Sequence, residues 1–193
     1  MDRDRRSPVM AITLYCSQFR HFPLLRFIPS MTTYARPLFE AKRCSPAELN
    51  QRVRNLERPL VFTNGVFDIL HRGHVTYLAQ ARAQGASLIV ALNGDASARR
   101  LGKGEDRPIN PLADRMAVIA ALEAASVVTW FDEDTPLALI LSCKPDILVK
   151  GGDWKQESIV GATDVRGWGG SVLSIPFEHE RSTTALVERI RRN

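Results

Sequence analysis

The chain has 193 residues, 45% of them hydrophobic and 24% charged, with a formal net charge of +5. That composition is typical of one soluble globular domain with a sizeable core. Five Arg against two Asp fall within residues 1–30, so the rest of the chain carries only +2. The basic balance therefore belongs to the N-terminal segment and gives no basic face for nucleic acid. No apolar run reaches the ~18–20 residues that a membrane helix needs. Cys16, Cys44 and Cys143 are widely spaced, with no CxxC or Cys/His zinc pattern, and a reducing, cytoplasmic setting fits them.

Residues 1–30 read as lying outside the domain. Arg3, Arg5 and Arg6 precede a short run, Val9 to Cys16, that contains Thr13 and Tyr15, and no small-residue cleavage site follows at the distance a signal peptide requires. Met31 is the expected true start, with a disordered, weakly amphipathic extension as the alternative. Residues 31–58 form a lead-in. Within it, Ser45-Pro46-Ala47-Glu48 supplies an N-cap, a proline at the first helical position and the acid of a capping box. This predicts a helix to about Leu56, outside the sheet.

Strands and helices then alternate through a domain spanning residues 59–193. Leu60–Thr63 is apolar and β-prone behind Pro59, and reads as a buried strand that Asn64-Gly65 breaks. Val75, Leu78, Ala79 and Ala81 suit one face of a helix over about His74–Gln84, ended by Gly85. Ser87–Leu92 is the continuous apolar run of a strand covered on both faces. A short helix at Ala96–Leu101 and a polar, glycine-rich loop at 102–108 lead to a helix over Pro111–Ala124. Strands follow at Ser126–Trp130, Asp146–Lys150 and Gly170–Ile175. Helical segments lie between them, from Asp134 to about Ser142 and around Ile159, and a last helix runs from Ser182 to Arg191. This alternation predicts an α/β, Rossmann-like, doubly wound five-stranded parallel sheet in a single domain.

In such a sheet, ligands sit beyond the carboxyl ends of the strands, at the switch point in strand order. The polar and glycine-rich residues fall at those ends: Asn64-Gly65, Asn93-Gly94-Asp95, Lys150-Gly151-Gly152-Asp153 and Arg181-Ser182-Thr183-Thr184. A strand, a glycine-containing turn and a helix start make a phosphate site, because free N–H groups and the positive end of the helix dipole face the ligand. His71 and His74 are three apart, on one side of such a start, and both can donate to phosphate oxygens. Gly73 keeps the backbone between them approachable. Ser182-Thr183-Thr184 offers three hydroxyls where an N-cap needs one, which suits a second phosphate-binding start. No metal-ligand set is legible, since no third His or Cys accompanies the two histidines.

Gly65-Val66-Phe67-Asp68 followed by His71-Arg72-Gly73-His74, in this strand–turn–helix context, resembles the GxFD…HxGH signature of the cytidylyltransferase-like nucleotidyltransferases. Asp106-Arg107-Pro108-Ile109-Asn110, Asp114-Arg115-Met116-Ala117, Val149-Lys150-Gly151-Gly152-Asp153, Gly167-Trp168-Gly169-Gly170 and Ser182-Thr183-Thr184-Ala185-Leu186 extend the likeness. Together they resemble the heptose 1-phosphate adenylyltransferase family, including the second domain of the fused heptose kinase/adenylyltransferases, over roughly Pro59 to Arg192. The resemblance implies transfer of AMP from ATP, with Mg²⁺, to D-glycero-β-D-manno-heptose 1-phosphate. Pyrophosphate and ADP-heptose would be the products, the latter for the lipopolysaccharide inner core. His71, His74 and Lys103 are then the expected catalytic residues. The expected nucleotide contacts are Thr63, Asn64, Gly65, Val66, Phe67, Gly73, Lys150, Gly151, Gly152, Asp153, Arg181, Ser182, Thr183 and Thr184. The expected acceptor contacts are Asp68, Asn93, Asp95, Arg107 and Arg115, although Asp68 also suits a hydrogen bond to its own turn. Arg181 stands where the family usually has Ile.

The residues alone reach a triphosphate-using nucleotidyltransferase; adenine and heptose come from the resemblance. Two other readings stay open: a CTP-dependent cytidylyltransferase acting on glycerol 3-phosphate or a phosphorylated amino alcohol, and a non-catalytic nucleotide-binding regulatory module. The expected partners are small-molecule substrates, with no nucleic acid and no membrane. A kinase half is not expected upstream, so a separate protein would supply the sugar 1-phosphate. Assembly into a homo-oligomer is left open.

Overall fold

A computed structural model of the chain describes residues 34–102, 107–178 and 183–192. The expected N-terminal extension, Lys103, Arg181 and Ser182 lie outside the described residues. Arg36–Asn193 forms one compact unit. Among the described residues, five parallel strands make one sheet: β1 (Leu60–Gly65), β2 (Ser87–Asn93), β3 (Val127–Phe131), β4 (Ile147–Gly151) and β5 (Ser171–Ile175). Their order is β3-β2-β1-β4-β5, so the switch point falls between β1 and β4. The helices are α1 (Pro46–Val53), α2 (Arg72–Arg82), α3 (Asp95–Arg100), α4 (Leu112–Ala120), α5 (Leu137–Cys143), α6 (Ala162–Gly167) and α7 (Thr183–Arg191).

Successive strand side chains point to opposite faces, and this two-residue period divides the core. Leu60, Phe62, Ile89, Ala91 and Leu148 pack with Leu49 of α1, Leu139 and Ile140 of α5, and Val165 of α6. Val61, Leu88, Val90, Leu92 and Val149 pack with Tyr77 and Leu78 of α2, and Met116 and Ile119 of α4. All seven residues of β2 are buried, as its unbroken apolar run requires. Both faces are thus covered, and each large side chain taken out of water contributes about 1.5–3 kcal/mol.

β1 does not stop at Thr63. It runs on through Asn64 and Gly65, paired with Ala91 and Leu92 of β2. On its other side the ladder is short, with only Val61↔Ile147 and Phe62↔Leu148 joining β1 to β4. The two strands therefore part beyond Phe62, and the crevice at the switch point opens between them. Tyr77 spans the gap: its hydroxyl meets Thr63 Oγ1 and lies 3.4 Å from the Val149 carbonyl.

α2 begins at Arg72, two residues earlier than its apolar spacing predicts, with His71 as N-cap. Gly73 sits in the first turn, buried. α1 starts as the sequence predicts: the Ser45 N–H donates to the Glu48 carboxylate at 2.8 Å. It ends at Val53, where Asn55 and Leu56 turn back on Arg52 and Val53 through backbone bonds. α4 ends at Ala120 rather than Ala124, because the chain tightens there to enter β3, with the Leu122 N–H bonded to Ile119.

Candidate active site

A cleft of about 750 Å³ lies over the carboxyl edge of the sheet, above the switch point. The β1–α2 connection forms its centre. Phe67 holds φ = 49°, a left-handed conformation that costs a non-glycine residue ~1–3 kcal/mol unless its surroundings enforce it. The carbonyls on either side are pinned. Arg115 Nη1 donates to Val66 O at 2.7 Å, and Asn110 Nδ2 donates to Asp68 O at 2.6 Å. Gly65 makes room for the ring, since a Cβ there would stand 2.9 Å from Phe67 Cε2.

His71 and His74 bracket the first turn of α2. Their rings stack with centroids 3.8 Å apart and planes inclined by 21°. The His74 ring also meets Phe67 edge-on at 5.3 Å and Phe177 at 6.5 Å. Burial lowers the pKa of His71 and so favours the neutral ring, which has one N–H to donate. Its Nδ1 is buried without a hydrogen-bond partner among the described residues. Thr183 opens α7 and donates its hydroxyl to the Ile69 carbonyl at 3.3 Å. The starts of α2 and α7 therefore stand side by side, and His71, His74 and Thr183 all line the same cleft.

The end of β4 forms an adjacent wall. Lys150 Nζ donates to Asn64 Oδ1 at 3.2 Å and lies 5.9 Å from the Trp154 ring centroid. Gly151 brings the backbone close to Phe177, whose Cζ would lie 2.8 Å from a Cβ at that position. Gly152 has φ = +107°, which only glycine adopts readily. Of the expected nucleotide contacts, Asn64, Gly65, Val66, Phe67, Lys150, Gly151, Gly152 and Thr183 line the cleft. Thr63 does not: it is fully buried and its hydroxyl is taken by Tyr77. Gly73 is buried inside the first turn, and Asp153 is exposed and does not line the cleft. Thr184 belongs to α7, but its side chain is outside the described residues, as are Lys103, Arg181 and Ser182.

Three of the expected acceptor contacts have other work. Arg115 has a fully buried side chain, and each of its three nitrogens donates inside the protein: to Asn110 O at 3.0 Å, Val66 O at 2.7 Å and Asp95 Oδ1 at 2.7 Å. It is an internal strut and presents no donor to a ligand, and its partner Asp95 does not line the cleft either. Asp68 lines the cleft, yet its carboxylate accepts from Arg107 Nη1 at 2.7 Å, Ile109 N at 2.9 Å and Asn110 N at 2.9 Å. Burial alone would raise its pKa; the Asn110 and Ile109 N–H groups and the Arg107 charge outweigh that and hold it low. Asp68 thus ties segment 107–110 to the β1–α2 turn. Asn93 and Arg107 remain on the cleft wall. Asn93 Nδ2 is held by Ser97 Oγ at 3.0 Å.

Sequence reasoning missed Trp154, Phe131, Asp134, Thr135 and Phe177, which also line the cleft. Trp154 directly follows the glycines after β4, and an aromatic at a strand end was a usable signal. Phe177 lies in a stretch with no motif, and only the approach of β5 to Gly151 places it.

A parallel sheet with its cleft at the switch point, and two helix starts opening into that cleft, defines an α/β nucleotide-binding architecture. Residues 62–189 match the cytidylyltransferase-like family, and the chain belongs to it. It is 57% identical over 155 residues to the D-beta-D-heptose 1-phosphate adenylyltransferase of Bordetella bronchiseptica, covering 79% of this chain and 96% of that one. It is 58% identical over 134 residues to the bifunctional protein HldE of Hahella chejuensis; that match covers 69% of this chain but only 28% of HldE. Among solved structures, it resembles the lipopolysaccharide core biosynthesis protein from Thermoplasma volcanium, with a TM-score of 0.52 and 30% identity over 63% of this chain and 98% of that one. Pantothenate synthetase from Thermus thermophilus shares the fold, with a TM-score of 0.50 and 18% identity over 70% of this chain and 61% of that one.

Proposed function

We propose that the chain transfers AMP from ATP to D-glycero-β-D-manno-heptose 1-phosphate, giving ADP-heptose for lipopolysaccharide core assembly. The observation that carries this reading is the shared cleft of His71, His74 and Thr183, in a chain matching nearly the full length of the Bordetella adenylyltransferase. A phosphate oxygen of the sugar 1-phosphate attacks the α-phosphorus in line. The bond from the α-phosphorus to the bridging oxygen breaks, and pyrophosphate leaves. The protein's task is alignment and stabilisation of charge spreading over phosphate oxygens. The imidazoles of His71 and His74 and the N–H groups at the two helix starts are the donors for that charge, while the Thr183 hydroxyl, bonded to the Ile69 carbonyl, holds the two starts together. Lys150 adds a cation at the β4 wall. Among the described residues, no group of three ligating side chains could hold a metal. In this reading Mg²⁺ would accompany the triphosphate as part of the substrate.

No helix among the described residues is long and apolar enough to cross a membrane. A cytoplasmic enzyme acting on small soluble substrates fits this reading. Pyrophosphate release with ATP or CTP, each paired with heptose 1-phosphate, glycerol 3-phosphate or a phosphorylated amino alcohol, tests it. Turnover is expected with ATP and the heptose. Preference for CTP and glycerol 3-phosphate would replace the assignment, and nucleotide binding without turnover of any pair would leave a regulatory module.

A further inference from the structure

We infer that Phe67 is a positioning residue that sets the ring of His74, and that Asn110 and Arg115 hold Phe67 in place. The kinetic part of this inference rests on the nucleotidyl-transfer reading; the structural part does not. Phe67 was expected to touch nucleotide, but its surroundings give it a second task. Its ring meets the His74 ring edge-on at 5.3 Å, the preferred arrangement for aromatic pairs. His71 stacks on His74 and Phe177 approaches its edge, so three rings confine one imidazole. Phe67 has side-chain hydrogen bonds on the carbonyls of both its neighbours. Its left-handed φ needs outside support, and the support is specific: a buried guanidinium on the Val66 carbonyl and a half-buried carboxamide on the Asp68 carbonyl. Arg115 is in turn fixed by Asn110 O and Asp95. Asn110 is fixed by the Asp68 carboxylate through its own N–H. Gly65 supplies the missing volume under the ring. Relaxing either carbonyl contact lets Phe67 leave the left-handed region, and the ring then swings away from His74.

Two variants test this. Phe67→Leu keeps an apolar side chain but removes the aromatic edge. If Phe67 positions His74, kcat falls about tenfold or more, as expected for a misplaced catalytic donor, while KM for ATP stays within about twofold. Asn110→Ala leaves both rings in the protein and removes one carbonyl contact. The ring signals of His74 in proton–nitrogen NMR spectra are then expected to move. A folded Phe67→Leu protein with wild-type kcat overturns the inference. So does a matched loss of kcat and ATP affinity, which would assign the ring to the nucleotide. Unmoved His74 signals in Asn110→Ala overturn it as well. Should the wild type show no turnover, the nucleotidyl-transfer reading fails on its own, and the Asn110→Ala spectrum still decides the positioning role. That spectrum also decides if Phe67→Leu does not fold.

Discussion

Asp68→Asn is the sharpest test of how the cleft is held together. The wild-type carboxylate is nearly buried, with 5% of its side chain exposed, and it gathers one guanidinium and two backbone N–H groups. The amide keeps one acceptor oxygen but loses the charge, and turns an NH₂ towards donors. Removing one partner of a buried pair costs about 3–5 kcal/mol. Arg107 is 13% exposed and can turn towards water, which places the loss near the lower end, about 3 kcal/mol. For a protein of this size that lowers Tm by roughly 6–12 °C. Urea and thermal unfolding followed by circular dichroism measure both. The pH dependence adds a second check. A carboxylate with a lowered folded pKa contributes stability above its unfolded value of about 3.9 and loses it as pH falls through the folded value. The gap between wild type and Asp68→Asn is therefore full at pH 7 and closes below about pH 4. A gap under about 1 kcal/mol at pH 7 would refute the tie between Asp68 and segment 107–110.

His74→Ala is expected to lower kcat by about 10²-fold or more while leaving the unfolding midpoint near wild type, if the ring donates to developing charge; steady-state kinetics on the folded variant check this. Gly152→Ala forces a Cβ onto φ = +107° and is expected to cost about 1 kcal/mol or more in denaturant unfolding. For His71, burial lowers the folded pKa below the unfolded value of about 6.5, so the unfolded chain binds the proton more readily. Stability should thus fall as pH drops below about 6.5, and His71→Gln should flatten the plot of Tm against pH between roughly pH 7 and 5.

The sheet was legible because its signals are local. β2 announces itself by an unbroken apolar run, and the glycine-rich strand ends mark the carboxyl edge. The end of β1 was misread because Asn64-Gly65 has the composition of a turn, whereas pairing with Ala91 and Leu92 keeps it extended. The start of α2 was placed late because the apolar face that marks the helix begins only at Val75, after Gly73. In a first turn its missing side chain costs little and lets the backbone bury. The histidines could be assigned to one helix start from spacing alone. The role of Arg115 could not be read that way. A charged residue on an amphipathic helix is normally solvated, and only the convergence of Val66, Asn110 and Asp95 around it shows a buried strut. Asp68 shows the same limit, since its partners lie about forty residues away in sequence.

The most direct test of the central claim is a crystal structure with a non-hydrolysable ATP analogue and Mg²⁺. The triphosphate is expected between the starts of α2 and α7, with its oxygens within about 3.2 Å of a His71 or His74 ring nitrogen and of the Thr183 hydroxyl or the N–H groups of α7. A nucleotide whose phosphates sit elsewhere on the sheet edge, or touch only one of the two helix starts, would contradict it.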